Sequence, residues 1–384
     1  MAKINPKIET FARIKVIGVG NSGVNAINHM LQSKVKNVEF IALDTDAQKL
    51  HYSPASKKIH IGKNLTRGLG GGMNPEIGRQ AAEETREAIQ EIVKGADMIF
   101  VACGFGGGTA TGAGPVVAKI AKEQGILTIA IVTKPFVFEG KQRERIAESG
   151  LANLRDAVDA MIVIPNDRLM GIINKDTPFL EAFKTCDDVL RQAVEGISDL
   201  ITVPGVINVD FADVRSIMQD AGTALMGIGI AEGENRAEEA AKKAISSPLL
   251  DISIDGSRGV LFAISGGEDL TMFEIQDAAN VITESIDPDA KVIFGAIQDE
   301  RLKKNQIKVT VIASNFPEGK FTKKPSIFQS ISGGTTPAEK GGDNSQVKEK
   351  NNEENFSPAK EKENEEKDDS WDAIPAFLRR KKVD

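Results

Sequence analysis

The sequence predicts an α/β fold in which a doubly wound parallel-sheet domain is followed by a central helix and then an α+β second domain. Three observations carry this expectation. Up to about Pro165, short β-branched runs alternate with longer helical stretches, the pattern of parallel strands joined by crossover helices. The strand candidates are too uniformly apolar to have a wet face, so helices are expected on both sides of the sheet. From Phe179 to about Leu200 one uninterrupted helical pattern separates this region from the rest.

Taken in order, strands are expected at Arg13 to Val19, Val38 to Leu43, Asp97 to Ala102, Ile126 to Val132 and Met161 to Ile164. Helices are expected at Val24 to Gln32, Pro75 to Val93 and Pro115 to Gln124. The long helix places Phe183, Val189, Leu190, Val194 and Ile197 near helical spacing, and Pro204 and Gly205 stop it. Next come a helix (Phe211 to Gln219), a strand (Thr223 to Ile230), a helix (Arg236 to Ser246) and a strand (Val260 to Ser265). A helix at Leu270 to Ser285 then precedes strands at Lys291 to Ile297 and Gln306 to Ala313. The predicted organisation is an α/β domain at 1–178, the central helix at 179–203, an α+β domain at 204–315, a disordered linker at 316–370 and a terminal peptide at 371–384. The linker reading rests on composition: from Glu339 to Ser370 eleven acids face six lysines, and such a segment buries too little apolar surface to offset its ordering entropy.

Composition excludes several classes. The chain has 384 residues, 41% hydrophobic and 27% charged, which is ordinary for a globular protein. A net charge of -7 argues against a generally basic nucleic-acid binder. Cys103 and Cys186 are too few for a disulfide framework, and His29, His51 and His60 lack ligand spacing, so no structural metal site is expected. No apolar run approaches the roughly 18 residues of a membrane span. The opening Met-Ala-Lys-Ile-Asn-Pro-Lys is unlike a signal peptide, and a cytoplasmic location is expected.

The 36 glycines are concentrated in loops. Gly18-Val-Gly20-Asn-Ser-Gly23 follows the first strand and opens a helix, a G-x-G-x-x-G match with Glu39 and Asp44 near the distance of a ribose-binding acid. Alone it fits either a dinucleotide-binding turn, hence an NAD(P)-dependent oxidoreductase, or a tight structural turn. A second run, Gly104-Phe-Gly106-Gly107-Gly108-Thr109-Ala110-Thr111-Gly112-Ala-Gly114, follows another strand and leads into another helix. Backbone N–H groups, a helix N-terminus and two hydroxyls there suit phosphate oxygens. Two such loops at one sheet edge fit a triphosphate held along its length, and G-x-x-x-x-G-K-[ST] is absent from the sequence.

Gly106 to Gly112 is similar to the tubulin-type signature G-G-G-T-G-[ST]-G. With Thr133-Lys-Pro-Phe-Val-Phe-Glu-Gly140, Asn208-Val-Asp-Phe-Ala-Asp-Val214 and Ile374-Pro-Ala-Phe-Leu-Arg-Arg380, the chain resembles the FtsZ family of bacterial cell-division GTPases. The resemblance runs from about Ile14 to Phe316 and resumes at the tail.

This resemblance implies a GTP/GDP site with Mg²⁺ accompanying the nucleotide. Gly20, Asn21, Ser22, Gly23, Val24 and Asn25 form one phosphate-contacting loop, and Gly107, Gly108, Thr109, Ala110 and Thr111 the other. It further implies that Glu139 and Arg143 contact ribose and phosphate, that Asn166 lies near sugar and base, and that Phe183 and Asp187 recognise guanine. Read without it, Glu139 and Arg143 are a surface ion pair four residues apart, and Phe183 with Asp187 is a core aromatic beside a solvated acid. Asp210 would cap the helix at Phe211 and Asp213 would complement its dipole. The resemblance instead makes Asn208, Asp210 and Asp213 a catalytic loop that acts on the nucleotide of the next subunit in a head-to-tail filament.

It also implies a mid-cell division ring, and a tail in which Trp371, Ile374, Pro375, Phe377, Leu378, Arg379 and Arg380 dock division proteins and membrane anchors. The pattern departs from the family at Asn21, Ser22 and Ala110, where glycines are usual. A non-hydrolysing assembly protein is therefore a further alternative.

Overall fold

The computed structural model describes residues 12–171, 176–203, 205–247, 253–299 and 301–317. All of these fall in one compact unit, Met1–Thr322. The expected tail peptide and all but the first two residues of the expected linker lie outside the described residues.

The chain begins with β1 (Ile14–Val19), α1 (Gly20–Gln32), β2 (Val38–Asp44), α2 (Ala47–Tyr52), β3 (Lys57–His60) and α3 (Lys63–Thr66). There follow α4 (Pro75–Glu84), α5 (Arg86–Val93), β4 (Met98–Gly104), α6 (Gly108–Glu123), β5 (Leu127–Lys134), α7 (Lys141–Arg155), β6 (Ala160–Pro165) and α8 (Asn166–Leu169). Then α9 (Phe179–Thr202) runs for 24 residues, about 36 Å at the α-helical rise. The remainder is α10 (Phe211–Met218), β7 (Gly222–Glu232), α11 (Arg236–Ile245), β8 (Gly259–Gly266), α12 (Met272–Thr283), β9 (Lys291–Gln298) and β10 (Gln306–Ser314).

One sheet contains all ten strands in the order β3-β2-β1-β4-β5-β6-β7-β10-β8-β9. The chain winds outward from β1 through β2 to β3, returns to β4, and winds the other way through β5 to β6. All these pairs are parallel, so the half is doubly wound as the apolar strands predicted. β7 continues the sheet beside β6 through only three parallel residue pairs, Ala160 to Ile162 with Gly222 to Ala224. Beyond that seam β10 pairs antiparallel with β7 and β8, and β9 is parallel to β8.

Apolar clusters cover both faces. Val24, Ile27, Ile129 and Ile162 meet Leu190, Val194 and Ile197 of α9, and the same cluster continues to Met226, Leu261 and Ile312 in the antiparallel half. On the opposite face of the parallel half, Ile17, Ile99 and Val132 pack against side chains of α4 to α7 such as Ala81, Ile89, Val117 and Leu151.

Several elements differ from expectation. The helix expected over Pro75 to Val93 is broken at Thr85, whose hydroxyl donates to Ala81 O and accepts from Gly62 N–H. The edge strand β3 went unread because its exposed Lys57 and Lys58 interrupt any apolar pattern. Helices α1 and α6 start at Gly20 and Gly108, inside the glycine-rich runs read as loops.

Candidate functional site

The strand order reverses between β1 and β4, and their carboxyl ends lead directly into the N-termini of α1 and α6. Open α/β sheets bind ligands in the crevice at such a point. Gly20 makes the entry to α1 possible: its φ is +71°, and a Cβ there would lie 3.0 Å from Ala110 N and 3.1 Å from the Ala110 methyl. The two helix starts are thus in contact. Left-handed geometry falls on Gly20 and not on Asn21, so an asparagine there meets no backbone strain. Ser22 sits over Gly104, where a Cβ would come within 2.0 Å of its hydroxyl. Gly23 supports the turn from behind, since a Cβ would lie 2.3 Å from Ala102 O. Val24 is buried in the core and half-buried Asn25 follows it.

At the second helix start, nothing lies within 4 Å of a Cβ built on Gly107, which leaves an open cradle before the first turn of α6. Beyond Gly108, the first-turn amides that have no intrahelical partner, together with the helix dipole, favour an anion. Thr111 is buried and its hydroxyl accepts from Gly106 N–H at 3.0 Å. Gly108 N–H donates to Gly72 O at 2.8 Å. Not every glycine here serves the cradle, however. A Cβ on Gly112 would lie 1.8 Å from Pro75 O, and one on Gly108 would lie 2.7 Å from the carbonyls of Gly71, Gly72 and Asn74. These glycines let α6 pack against α4 and the segment before it. Ala110, the departure from the glycine pattern, is only 5% exposed and belongs to the core cluster under the sheet. Its methyl packs toward Gly20 and leaves the cradle clear.

Glu139 ends a short 3-10 turn, Val137–Glu139. Its carboxylate accepts from Phe136 N–H at 3.0 Å and pairs with Arg143 at 2.9 Å, so the ion pair that the spacing predicts is present. Arg143 borders the cradle, because a Cβ on Gly106 would lie 3.2 Å from Arg143 Cβ. Asn166 opens α8 at the end of β6; it is buried, and its Oδ1 has no partner. Phe183 meets the Phe136 ring edge-on at 5.5 Å, and Phe138 stacks on Phe136 at 4.9 Å. Burial pushes the Asp187 carboxyl up to about 6, against the pull of His29 and Lys49.

Of the two acids considered for a ribose, Glu39 is tied to Lys57 and Lys15. It pairs in register with Lys15 near the beginning of β1, away from the carboxyl edge. The oxidoreductase reading therefore has no ribose acid there. Asp44 does lie at that edge, buried, with Oδ2 unpartnered and its pKa pushed up to about 6 by burial.

Asn208, Asp210 and Asp213 are exposed and lie elsewhere. Their segment follows the far end of α9, and Arg215 of α10 donates to Gly125 O at 2.7 Å, just before β5. That is the amino edge of the parallel strands, opposite the cradle. Asp210 occupies the N-cap position of α10 but its side chain makes no capping hydrogen bond, which corrects the capping reading. The turn is held instead by Asn208 Oδ1, which accepts from Gly205 N–H at 2.7 Å.

A doubly wound sheet with paired helix starts at its switch point, joined by one long helix to an α+β half, defines the tubulin-like class of nucleotide-binding proteins. Residues 13–174 match the Tubulin/FtsZ family GTPase domain, and residues 222–317 match the FtsZ family C-terminal domain. An empty FtsZ dimer from M. jannaschii is 46% identical, with a TM-score of 0.77, over 80% of this chain and 89% of that one. The GTPγS-bound CetZ2 protofilament from Haloferax volcanii is 21% identical with a TM-score of 0.67, over 78% of this chain and 92% of that one. CetZ1 from the same organism, a GDP-bound monomer, is 19% identical with a TM-score of 0.68, over 80% and 95%. At that identity the CetZ proteins share the fold. The chain belongs to the FtsZ family, tubulin-like cytoskeletal GTPases of cell division.

Proposed function

We propose that this chain binds GTP at the switch point and polymerises head to tail, each subunit completing the hydrolytic site of the next. Gly20 to Asn25 and Gly107 to Thr111 hold the phosphates, and Glu139 and Arg143 contact ribose and phosphate. Asn166 faces sugar and base, Phe183 stacks on guanine, and Asp187 accepts from its N1–H and 2-amino groups, a donor pair that adenine lacks. The unpartnered Asn166 Oδ1 and the desolvated Asp187 fit this ligand, since each gains from a donor. Among the described residues no cluster of three His, Cys, Asp or Glu could hold a metal ion alone. Mg²⁺ would therefore be held largely by the phosphates, where it offsets their charge.

The observation that carries the interface mechanism is the separation of two incomplete halves. The cradle lies at the carboxyl edge of the sheet, and the uncapped, exposed Asp210 with Asp213 lies at the amino edge, a length of α9 away. Stacking would bring Asp210 and Asp213 over the neighbour's terminal phosphate to orient water, with Asn208 shaping the loop; placement and electrostatics do most of the work in phosphoryl transfer. A head-to-tail contact that does not close yields a filament. Such filaments would form the cytoplasmic division ring at mid-cell, and Trp371, Ile374, Pro375, Phe377, Leu378, Arg379 and Arg380 would recruit division proteins and membrane anchors.

The test is phosphate release as a function of protein concentration, with light scattering. Cooperative onset, together with an Asp213→Ala variant that binds GTP but loses turnover, supports the mechanism. Normal hydrolysis by dilute Asp213→Ala monomer overturns it, and polymer without phosphate release would identify a non-hydrolysing assembly protein.

A further inference from the structure

Thr45 follows β2 and is fully buried, yet no role proposed above uses it. Its hydroxyl lies 2.7 Å from the hydroxyl of Thr109, in the first turn of α6. Its main chain is pinned on both sides. The N–H donates to Asp44 Oδ1 at 2.7 Å, while the carbonyl lies 3.2 Å from His60 Nε2 and accepts from Thr66 Oγ1 at 3.3 Å. β2, β3 and α3 together thus fix one hydroxyl against the second phosphate loop. From the other side, Gly71 closes on Thr109, since a Cβ there would lie 3.0 Å from Thr109 Oγ1.

Two hydroxyls in one short contact have two proton arrangements. If Thr109 donates to Thr45, it shows only lone pairs to the cradle. If Thr45 donates to Thr109, the Thr109 proton is free to point outward. A phosphate oxygen can only accept, so only the second arrangement adds a bond to it. The competing acceptor for the Thr45 proton, Asp44 Oδ1, is 3.5 Å away, at the weak end of hydrogen bonding, whereas 2.7 Å is the usual O–H···O length.

We propose that Thr45 is a positioning residue for the nucleotide: it donates to Thr109 and so turns the Thr109 proton toward a phosphate oxygen. This rests on the reading of Thr109 as a phosphate contact. Thr45→Val keeps the branched shape and removes the hydroxyl, and Thr45→Ser restores it.

The experiment is equilibrium binding of GTP and of guanosine to full-length chain, below the concentration at which it assembles. Thr45→Val is expected to weaken GTP about twofold to threefold, the low end of a hydrogen bond's worth, because the Thr109 hydroxyl remains and only the orientation and polarisation supplied by Thr45 are lost. Guanosine should bind equally to all forms, Thr45→Ser should recover GTP affinity, and on a Thr109→Val background Thr45→Val should cost nothing further, since Thr45 acts only through Thr109. Unchanged GTP affinity in Thr45→Val, or an equal loss for guanosine, overturns the relay. Failure of the unaltered chain to bind GTP would overturn the nucleotide reading itself, and the relay with it.

Discussion

Asp187 is desolvated with only partial compensation: burial raises its pKa to about 6, against the weaker pull of His29 and Lys49. Only the ionised form can accept from both guanine donors with its two oxygens, since protonation turns one oxygen into a donor. GTP affinity is therefore expected to fall as pH drops through about 6, approaching tenfold per unit well below it, and Asp187→Asn should flatten the profile; titration calorimetry checks both. For folding the sign is opposite. The folded pKa lies above the unfolded value of 3.8, so the folded chain holds more protons between about 4 and 6. This group's contribution to stability then rises as pH falls through that window, and its ionised form costs stability at neutral pH. Asp44, also raised to about 6 by burial, acts with the same sign. In urea unfolding, Asp44→Asn should gain less stability, or lose more, than the unaltered chain as pH falls from about 6 to about 4. At this scale the sequence singled out Asp187 only through the family resemblance, and its desolvation appears only once the chain is folded. The sequence was silent on Thr45, whose significance comes from a contact with a residue sixty-four positions away.

Among elements, α6 shows how identical residues in one run divide their work. Gly107 faces open space with φ −97°, whereas Gly112 touches the Pro75 carbonyl. Gly107→Ala should leave thermal stability within about 0.5 kcal/mol while weakening nucleotide binding, because its methyl enters the cradle. Gly112→Ala should cost about 1–3 kcal/mol by forcing α4 and α6 apart, and calorimetric melting separates the two. The strands and long helices were legible because their apolar periodicity extends over many residues. The glycine run was read as one loop because nothing in sequence distinguishes a glycine that admits a ligand from one that admits a neighbouring helix. The same limit moved the starts of α1 and α6 later than they are.

For the whole molecule, α9 is the shared member. Its Glu195 is 4% exposed and held between Arg191 of the same helix and Arg301, which also pairs with Asp199 at 3.0 Å and Asp299 at 2.7 Å. Removing one cation from a buried carboxylate is costly, though Arg191 would remain. Arg301→Ala should then lower stability by about 2–3 kcal/mol, measured by denaturant unfolding. The two-part organisation was legible in sequence, but the core cluster running from Val16 through α9 to Ile312 was not, because it depends on which faces meet. The three-pair seam between β6 and β7 has a mechanical consequence. Peeling the halves apart there would break the ladder rung by rung at low force, whereas shearing them along the strands would load all three pairs at once. With so few rungs, resistance to such a pull would rest chiefly on the side chains gripping α9.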